Sequence, residues 1–239
     1  PYYKSSFHRA SIILAAFSHV EKDIPNQDKA KVLRFNELGV DTDLYKPANN
    51  KKFDEEQPCQ FLFVGRLVPY KCAHVVITAF ANSETLREKH CLKIVGDGPE
   101  REYLQKLIDE NQLNHCVTIL GWKEQFEVAQ IMADSDVFVF PTIREVGGNV
   151  IIEAMSAGLP SVVPDYGGPS ELIDDAIGIK IPLSNKLEFQ ESYTSTMEIL
   201  ADNIEMRAFL SNNARTRAIE IHSWKAKGLR VKEIYDMQT

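Results

Sequence analysis

Val137-Phe138-Val139-Phe140-Pro141-Thr142-Ile143-Arg144-Glu145-Val146-Gly147-Gly148-Asn149-Val150-Ile151-Ile152-Glu153-Ala154-Met155-Ser156-Ala157-Gly158-Leu159-Pro160 is the stretch whose reading decides the fold. The apolar residues at its start predict a buried strand over 136–140. A loop with two adjacent glycines follows. The chain then becomes apolar and helix-forming over 148–157 and stops at Gly158 and Pro160. A strand, a glycine turn and a helix start make an anion site. The first N–H groups of a helix have no partner within it and carry a partial positive charge. Glycine lets a ligand approach the backbone closely. Glu145 and Glu153 stand on either side of the glycine pair. Carboxylates are poor phosphate ligands, but they readily accept hydrogen bonds from sugar hydroxyls.

On both sides of this stretch strands and helices alternate. The pattern predicts strands over 60–65, 91–96, 116–120, 161–163 and 178–181. Helices are predicted over 71–86, 100–111, 126–132, 148–157 and 169–173, and then over 188–201, 204–221 and 224–237. This alternation implies βαβ units: an α/β fold with a Rossmann-like parallel sheet and helices on both faces. Such sheets take ligands at the carboxyl ends of their strands. Gly65, Gly96-Asp97-Gly98, Gly121 and Gly147-Gly148 all fall at those ends, which suggests one crevice.

The first fifty residues differ. Strands are expected over 11–17 and 31–36, with a short helix over 18–24 capped by Ser18 and a turn over 38–43. Two strands do not make a stable layer, so this segment reads as the tail of a preceding domain. Residues 47–58, with Asn49-Asn50-Lys51-Lys52 at the centre, read as an exposed linker.

Composition narrows the partners. The chain has 239 residues, 44% hydrophobic and 26% charged, as in an ordinary soluble domain. A net charge of −7 argues against nucleic acid or an anionic membrane as partner. No apolar run reaches the ~20 residues of a membrane span, and no signal peptide is recognisable. The sequence starts at Pro1 without Met and reads as a piece of a longer protein. Cys59, Cys72, Cys91 and Cys116 form no CxxC pair and read as free thiols in a reducing cytoplasm. The histidines, at 8, 19, 74, 90, 115 and 222, have no metal-binding spacing and read mostly as surface residues. Asp174-Asp175 and Asp54-Glu55-Glu56 read as solvated faces. No metal site is expected.

Three further motifs lie at strand ends. In Gly65-Arg66-Leu67-Val68-Pro69-Tyr70-Lys71, Arg66 and Lys71 would alone be ordinary surface cations. On the same sheet edge as Gly147-Gly148 they suit a diphosphate. Gly96-Asp97-Gly98-Pro99-Glu100 is a tight turn with Pro99 at a first helical position. It serves turn geometry alone or forms a wall of a nucleotide pocket. Trp122 and Lys123, in Gly121-Trp122-Lys123-Glu124, belong either to a surface loop or against a planar base. The chain has no GxGxxG, no GxxxxGK[ST] and no GxSxG elbow.

Taken together, Gly65-Arg66-Leu67 with Lys71, Gly96-Asp97-Gly98-Pro99, and Glu145 and Glu153 around Gly147-Gly148 carry a resemblance. The chain resembles the carboxyl-terminal, donor-binding half of a glycosyltransferase family 4 enzyme with the GT-B fold. The match runs from about Gly39-Val40-Asp41 to Trp224, and Gly167-Gly168-Pro169-Ser170-Glu171 fits the family's next glycine turn.

The resemblance implies retaining, metal-independent transfer of a sugar from a nucleotide donor, such as a UDP- or GDP-sugar, with no other cofactor. Arg66, Lys71 and Glu145 match the catalytic positions: the two cations on the diphosphate, Glu145 on the donor sugar. Glu153 matches the ribose-binding acid, and Gly147, Gly148, Asn149 and Val150 offer backbone N–H groups. Gly65, Gly96, Asp97, Gly98, Trp122 and Lys123 complete the expected donor site.

The resemblance also implies a division of the chain. Residues 1–49 would be the remnant of an acceptor-side domain and a linker, 50–223 the nucleotide-sugar-binding domain, and 224–239 a helix crossing back. The acceptor, a glycan or a lipid-linked saccharide, would be bound by the missing half, so the isolated chain is expected to be inactive. The full enzyme is expected in the cytoplasm, with peripheral contact at the membrane. The apolar face of the last helix (Leu229, Val231, Ile234, Tyr235) would favour self-association. Two other readings share the fold: a noncatalytic nucleotide-binding partner subunit and a nucleotide-sugar epimerase. Departures from the family are Cys72, where glycine is usual, and Val146-Gly147 in place of a small residue followed by Phe.

Overall fold

Near-continuous apolar strands with helices between them have one economical arrangement, a parallel sheet buried on both faces. A computed structural model of the chain, describing residues 2–48, 53–54 and 57–237, shows that arrangement. Six parallel strands form the main sheet: β3 (Gln60–Val64), β4 (Cys91–Val95), β5 (Val117–Gly121), β6 (Val137–Val139), β7 (Ser161–Pro164) and β8 (Gly178–Ile181). Their order is β5-β4-β3-β6-β7-β8. The chain therefore builds outward from β3 to β5, returns to the other side of β3 as β6, and builds outward again. The point of reversal lies between β3 and β6, where Phe61 pairs with Val137 and Leu62 with Phe138. In open α/β sheets the crevice outside the carboxyl ends of two such strands is the ligand site.

The core follows from the strand sequences. Phe61, Leu62, Phe63, Val137, Phe138, Val139 and Phe140 are fully buried. Phe63 and Phe138 each lie within 6 Å of the Phe140 ring, at centroid distances of 5.9 and 5.6 Å. Connecting helices α2 (Ala73–Asn82), α3 (Glu84–Lys89), α4 (Arg101–Glu110), α5 (Gln125–Ala133), α6 (Asn149–Ser156) and α7 (Gly167–Leu172) cover the faces, joined by α8 (Lys186–Asp202) and α9 (Ile204–Arg217). The helix expected over 71–86 is divided. Residues 69–71 form a 3₁₀ turn, and Ser83 ends α2 and caps α3 by accepting the Leu86 N–H at 3.2 Å. The helix expected over 204–221 gives way to a π-turn over Ala218–His222. There α10 (Trp224–Asp236) begins with Ser223 as its cap.

The amino-terminal segment forms a separate two-stranded parallel sheet, β1 (Ile13–Ala15) with β2 (Val32–Arg34), preceded by α1 (Tyr2–Arg9). Both strands are shorter than the sequence predicts. The expected helix over 18–24 is a 3₁₀ turn over Ser18–Asp23, with a second over Asn26–Lys31 after Pro25. Sequence periodicity gave no signal for α1. Residues 49–52 and 55–56 of the expected linker and acidic face lie outside the described residues.

Two sets of contacts join this segment to the helices around the main sheet. The Val40 N–H donates to His222 O at 2.8 Å, and the Trp224 N–H to Val40 O at 3.3 Å. A Cβ on Gly39 would lie 2.5 Å from the Trp224 ring, so only glycine fits beside it. Further along, Glu171 of α7 accepts from the Ser18 N–H and hydroxyl, and from Arg34 at 2.7 Å. On α10, Ile234 is buried and Val231 half-buried, while Leu229 and Tyr235 are exposed. The apolar face expected to drive self-association is therefore partly covered within the chain.

Candidate functional site

At the carboxyl end of β3 the chain turns through Gly65 and Arg66 into the 3₁₀ turn at Pro69–Lys71. Cys72 follows in the left-handed region, at φ 54° and ψ 35°. A glycine there would adopt that conformation without strain, which gives a physical reason for the family's preference. The turn is tied to the loop after β6: Tyr70 O accepts from the Ile143 N–H at 3.0 Å and the Thr142 hydroxyl at 3.2 Å. The two loops on either side of the reversal point are thus one unit.

From this unit Lys71 and Glu145 reach each other and form an ion pair, with 15% and 19% of their side chains exposed. The Lys71 ammonium also lies 4.7 Å from the centre of the Phe140 ring. The other Glu145 oxygen accepts the Val146 N–H at 3.2 Å. Next, Gly148, at φ 96°, starts α6. No side chain caps that helix and its first turn holds no acid; its first residues, Asn149 and Val150, line the crevice, and the Ile151 N–H donates to Gly148 O at 2.9 Å. The loop is backed by α7. A Cβ on Gly168 would lie 2.1 Å from Val146 O, so glycine is required there for close packing.

These elements enclose a cavity of about 530 Å³. Gly65, Arg66, Lys71, Glu145, Gly147, Gly148, Asn149, Val150 and Glu153 line it, all of them expected from the sequence. Tyr45, Val64, Val128 and Phe140 complete the wall. Glu153 sits on α6. Burial pushes its carboxyl above the usual carboxylate range, and a hydrogen bond from Tyr45 works against that rise. Tyr45 was missed because it lies in a polar turn ahead of β3, with no pattern of its own.

Five expected residues do not line the cavity. Gly96 and Gly98 lie behind it. A Cβ on Gly96 would stand 1.9 Å from Gly65 O, and one on Gly98 2.4 Å from Leu67 O. They let the β4 loop pack directly on the β3 loop, where the Leu67 N–H donates to Asp97 O at 3.0 Å. Asp97 itself pairs with Arg101 at 2.9 Å. Trp122 is 65% exposed, and Lys123 pairs with Glu127 at 3.2 Å. Contrary to the surface reading of the histidines, His90 and His222 are buried. Among the described residues no cluster of three or more His, Cys, Asp or Glu is placed to hold a metal.

A parallel sheet with its cavity at the reversal point, walled by cations, a helix start and two acids, is the arrangement in which open α/β sheets take ligands. Residues 46–217 match the family model of glycosyl transferases group 1, and the chain belongs to that family. It is 32% identical over 174 residues to an uncharacterized glycosyltransferase of Methanocaldococcus jannaschii, covering 72% of this chain and 42% of the relative. It is 30% identical over 198 residues to the alpha-D-kanosaminyltransferase of Streptomyces kanamyceticus, covering 82% and 50%. The crystal structure of Anabaena HepE in complex with UDP superposes with a TM-score of 0.76 at 22% identity, over 97% of this chain and 65% of that one. The chain spans about half the length of the curated relatives it matches.

Proposed function

We propose that this chain is the donor-binding half of a retaining, metal-independent hexosyltransferase that uses a nucleotide-diphosphate sugar. The observation that carries the reading is the Lys71–Glu145 pair, set beside Arg66 and the uncapped start of α6 at the reversal point. An ammonium has three donors. Lys71 can therefore keep Glu145 and still reach a diphosphate. Glu145, paired with Lys71 through one oxygen, retains acceptor capacity for hydroxyls of the donor sugar, and Glu153 faces the ribose.

As the bond from the sugar carbon to phosphate breaks, its electron pair passes to the diphosphate oxygen. Arg66, Lys71 and the α6 N–H groups stabilise that charge. The acceptor hydroxyl adds to the same face of the sugar carbon and gives its proton to the leaving phosphate oxygen. Neither acid is a nucleophile in this scheme. The acceptor, a saccharide or a lipid-linked saccharide, belongs to the part of the protein outside this chain, so the chain alone binds the donor without efficient transfer. Free cysteines at 59, 72, 91 and 116 fit a cytoplasmic setting. Among the described residues no helix is long and apolar enough to cross a membrane.

Titration calorimetry with UDP, GDP and ADP and their sugars tests the reading. We expect micromolar to millimolar binding of one nucleotide class, and no binding of any at millimolar concentration sinks it. Glu153→Gln is expected to weaken that binding about ten-fold, the size of one lost hydrogen bond to a charged group. The same change should raise the melting temperature. Burial raises this carboxyl in the folded state, so the ionised form costs stability at neutral pH and removing it recovers that cost.

A further inference from the structure

A smaller cavity, of about 330 Å³, lies between the exit of β2 and the start of α10. It shares no lining residue with the donor cavity. Three cations line it, Arg34, Lys227 and Arg230, against one acid, the exposed Glu220. Arg34 is paired with Glu21 and Glu171, and Arg230 with Glu233 at 2.7 Å.

Lys227 differs from both. It is buried, with 7% exposed. Its ammonium donates to Asn36 O and lies 5.6 Å from the centre of the Phe35 ring. Among the described residues no carboxylate stands within ion-pair distance of it. Burial holds the ammonium below the usual lysine value, and Glu37, from farther away, opposes this. A buried charge without a counter-charge is costly, and an anion would remove that cost. One carbonyl uses one of its three donors.

His222 stands beside it on the same wall. It is 5% exposed, and its Nδ1 has no hydrogen-bond partner. Burial, and then the charge of Lys227, hold the imidazole down at about 4, so the ring is neutral. A neutral imidazole has one N–H, and its tautomer follows the partner offered.

We propose that this cavity binds a phosphate group, free or as a monoester, held by Lys227, Arg230 and Nδ1 of His222. A tetrahedral oxyanion has enough acceptor oxygens to meet an ammonium, a guanidinium and an imidazole N–H together. Arg230 has five donors and can keep Glu233 while it does so. Phe35 and Ile221 give the body of a small monoester an apolar wall. Occupancy would fasten residues 34–36 of the amino-terminal segment to α10. The inference goes beyond the donor-site reading and does not depend on it.

The test titrates orthophosphate, glycerol phosphate and acetate, at equal ionic strength, into the full chain and follows the His222 ring by NMR. Phosphate also suits the donor cavity, so Lys71→Met controls for that site. Wild type and Lys71→Met should show the same saturable His222 shift, with phosphate at least about ten-fold tighter than acetate. Lys227→Met should weaken binding about ten-fold or more. Arg230→Gln, at a half-buried position and independent of whether Lys227→Met folds, should weaken it about three- to ten-fold. Either phosphate form binding supports the site, and the tighter one names the source. A shift lost in Lys71→Met but kept in Lys227→Met and Arg230→Gln would put the phosphate in the donor cavity and overturn the proposal. The absence of any saturable shift at millimolar concentration would overturn it too, as would acetate binding as tightly as phosphate. If wild type binds a nucleotide and shows no His222 shift with phosphate, the donor-site reading stands and this proposal alone falls.

Discussion

Two cavities flank the central strands, at opposite ends, and both contain cations. The one at the carboxyl ends holds Arg66 and Lys71. The other, of about 450 Å³, lies at the amino ends and is lined by Lys89, His90 and Arg207 with Asp54 and Asp202. Volume and charge barely distinguish them. What distinguishes them is the bonding of the charged groups. Arg207 is 3% exposed, donates to Leu200 O and Ala201 O at the end of α8, and lies 5.6 Å from the Phe53 ring. His90 accepts the Cys59 N–H on Nδ1 at 3.1 Å. Both bond main chain and both are buried, with His90 Nε2 and Arg207 Nε left without a hydrogen-bond partner. At the carboxyl ends Lys71 and Glu145 come from different loops, hold only each other and one N–H, and keep spare capacity beside an uncapped helix. What marks the carboxyl-end site is a half-buried cation and acid that meet from two loops beside the start of α6, whereas Arg207, at the amino ends, is sealed against main chain.

The largest effect that would sharpen this contrast is on stability. Arg207→Met should lower the unfolding free energy by roughly 2–4 kcal/mol, because two buried carbonyls lose a charged donor. Urea unfolding would measure it, and nucleotide affinity of the folded protein should stay the same. A change in affinity without a change in stability would break the comparison. Lys71→Met should do the reverse, weakening nucleoside diphosphate binding about ten- to one hundred-fold, as expected for a charge-assisted contact. Lost stability with intact binding would mean that Lys71 serves only Glu145.

A smaller effect concerns pH. Burial holds the His90 imidazole below its ordinary value, so the folded state resists protonation while the unfolded chain accepts it near pH 6.5. Stability is full above that pH and declines as pH falls below it. His90→Gln should flatten this part of the profile in pH-dependent unfolding, and an unaltered slope would assign it elsewhere. The smallest effect is at Cys72. Cys72→Gly should stabilise by at most about 1 kcal/mol, through relief of the left-handed backbone set against a more flexible unfolded chain. Differential scanning calorimetry would resolve it, and a destabilised variant would show that the thiol's packing outweighs the strain.

The parallel sheet was legible because strands buried on both faces must be apolar throughout, as in Phe61-Leu62-Phe63 and Val137 to Phe140. The division of the helix near Ser83 was less so, since periodicity continues across a cap that a side-chain hydroxyl supplies. The amino-terminal segment was the least legible. Its short strands and 3₁₀ turns owe their form to Pro25 and to contacts such as Ser18 and Arg34 on Glu171, 153 and 137 residues away in sequence.

For the site, the amino-acid sequence alone determined the local chemistry: glycines where backbones touch, cations and acids at strand ends, and a helix start after Gly147-Gly148. Those features depend on neighbours within a few residues. Only the tertiary structure decided which of them share a cavity. Gly96, Gly98 and Trp122 sit at the same sheet edge as Arg66, yet strand order places β4 and β5 on the far side of β3 from β6. Their loops therefore support or flank the crevice and do not line it. The same long-range packing brought in Tyr45, whose ring enters only because α6 and α9 fix its backbone.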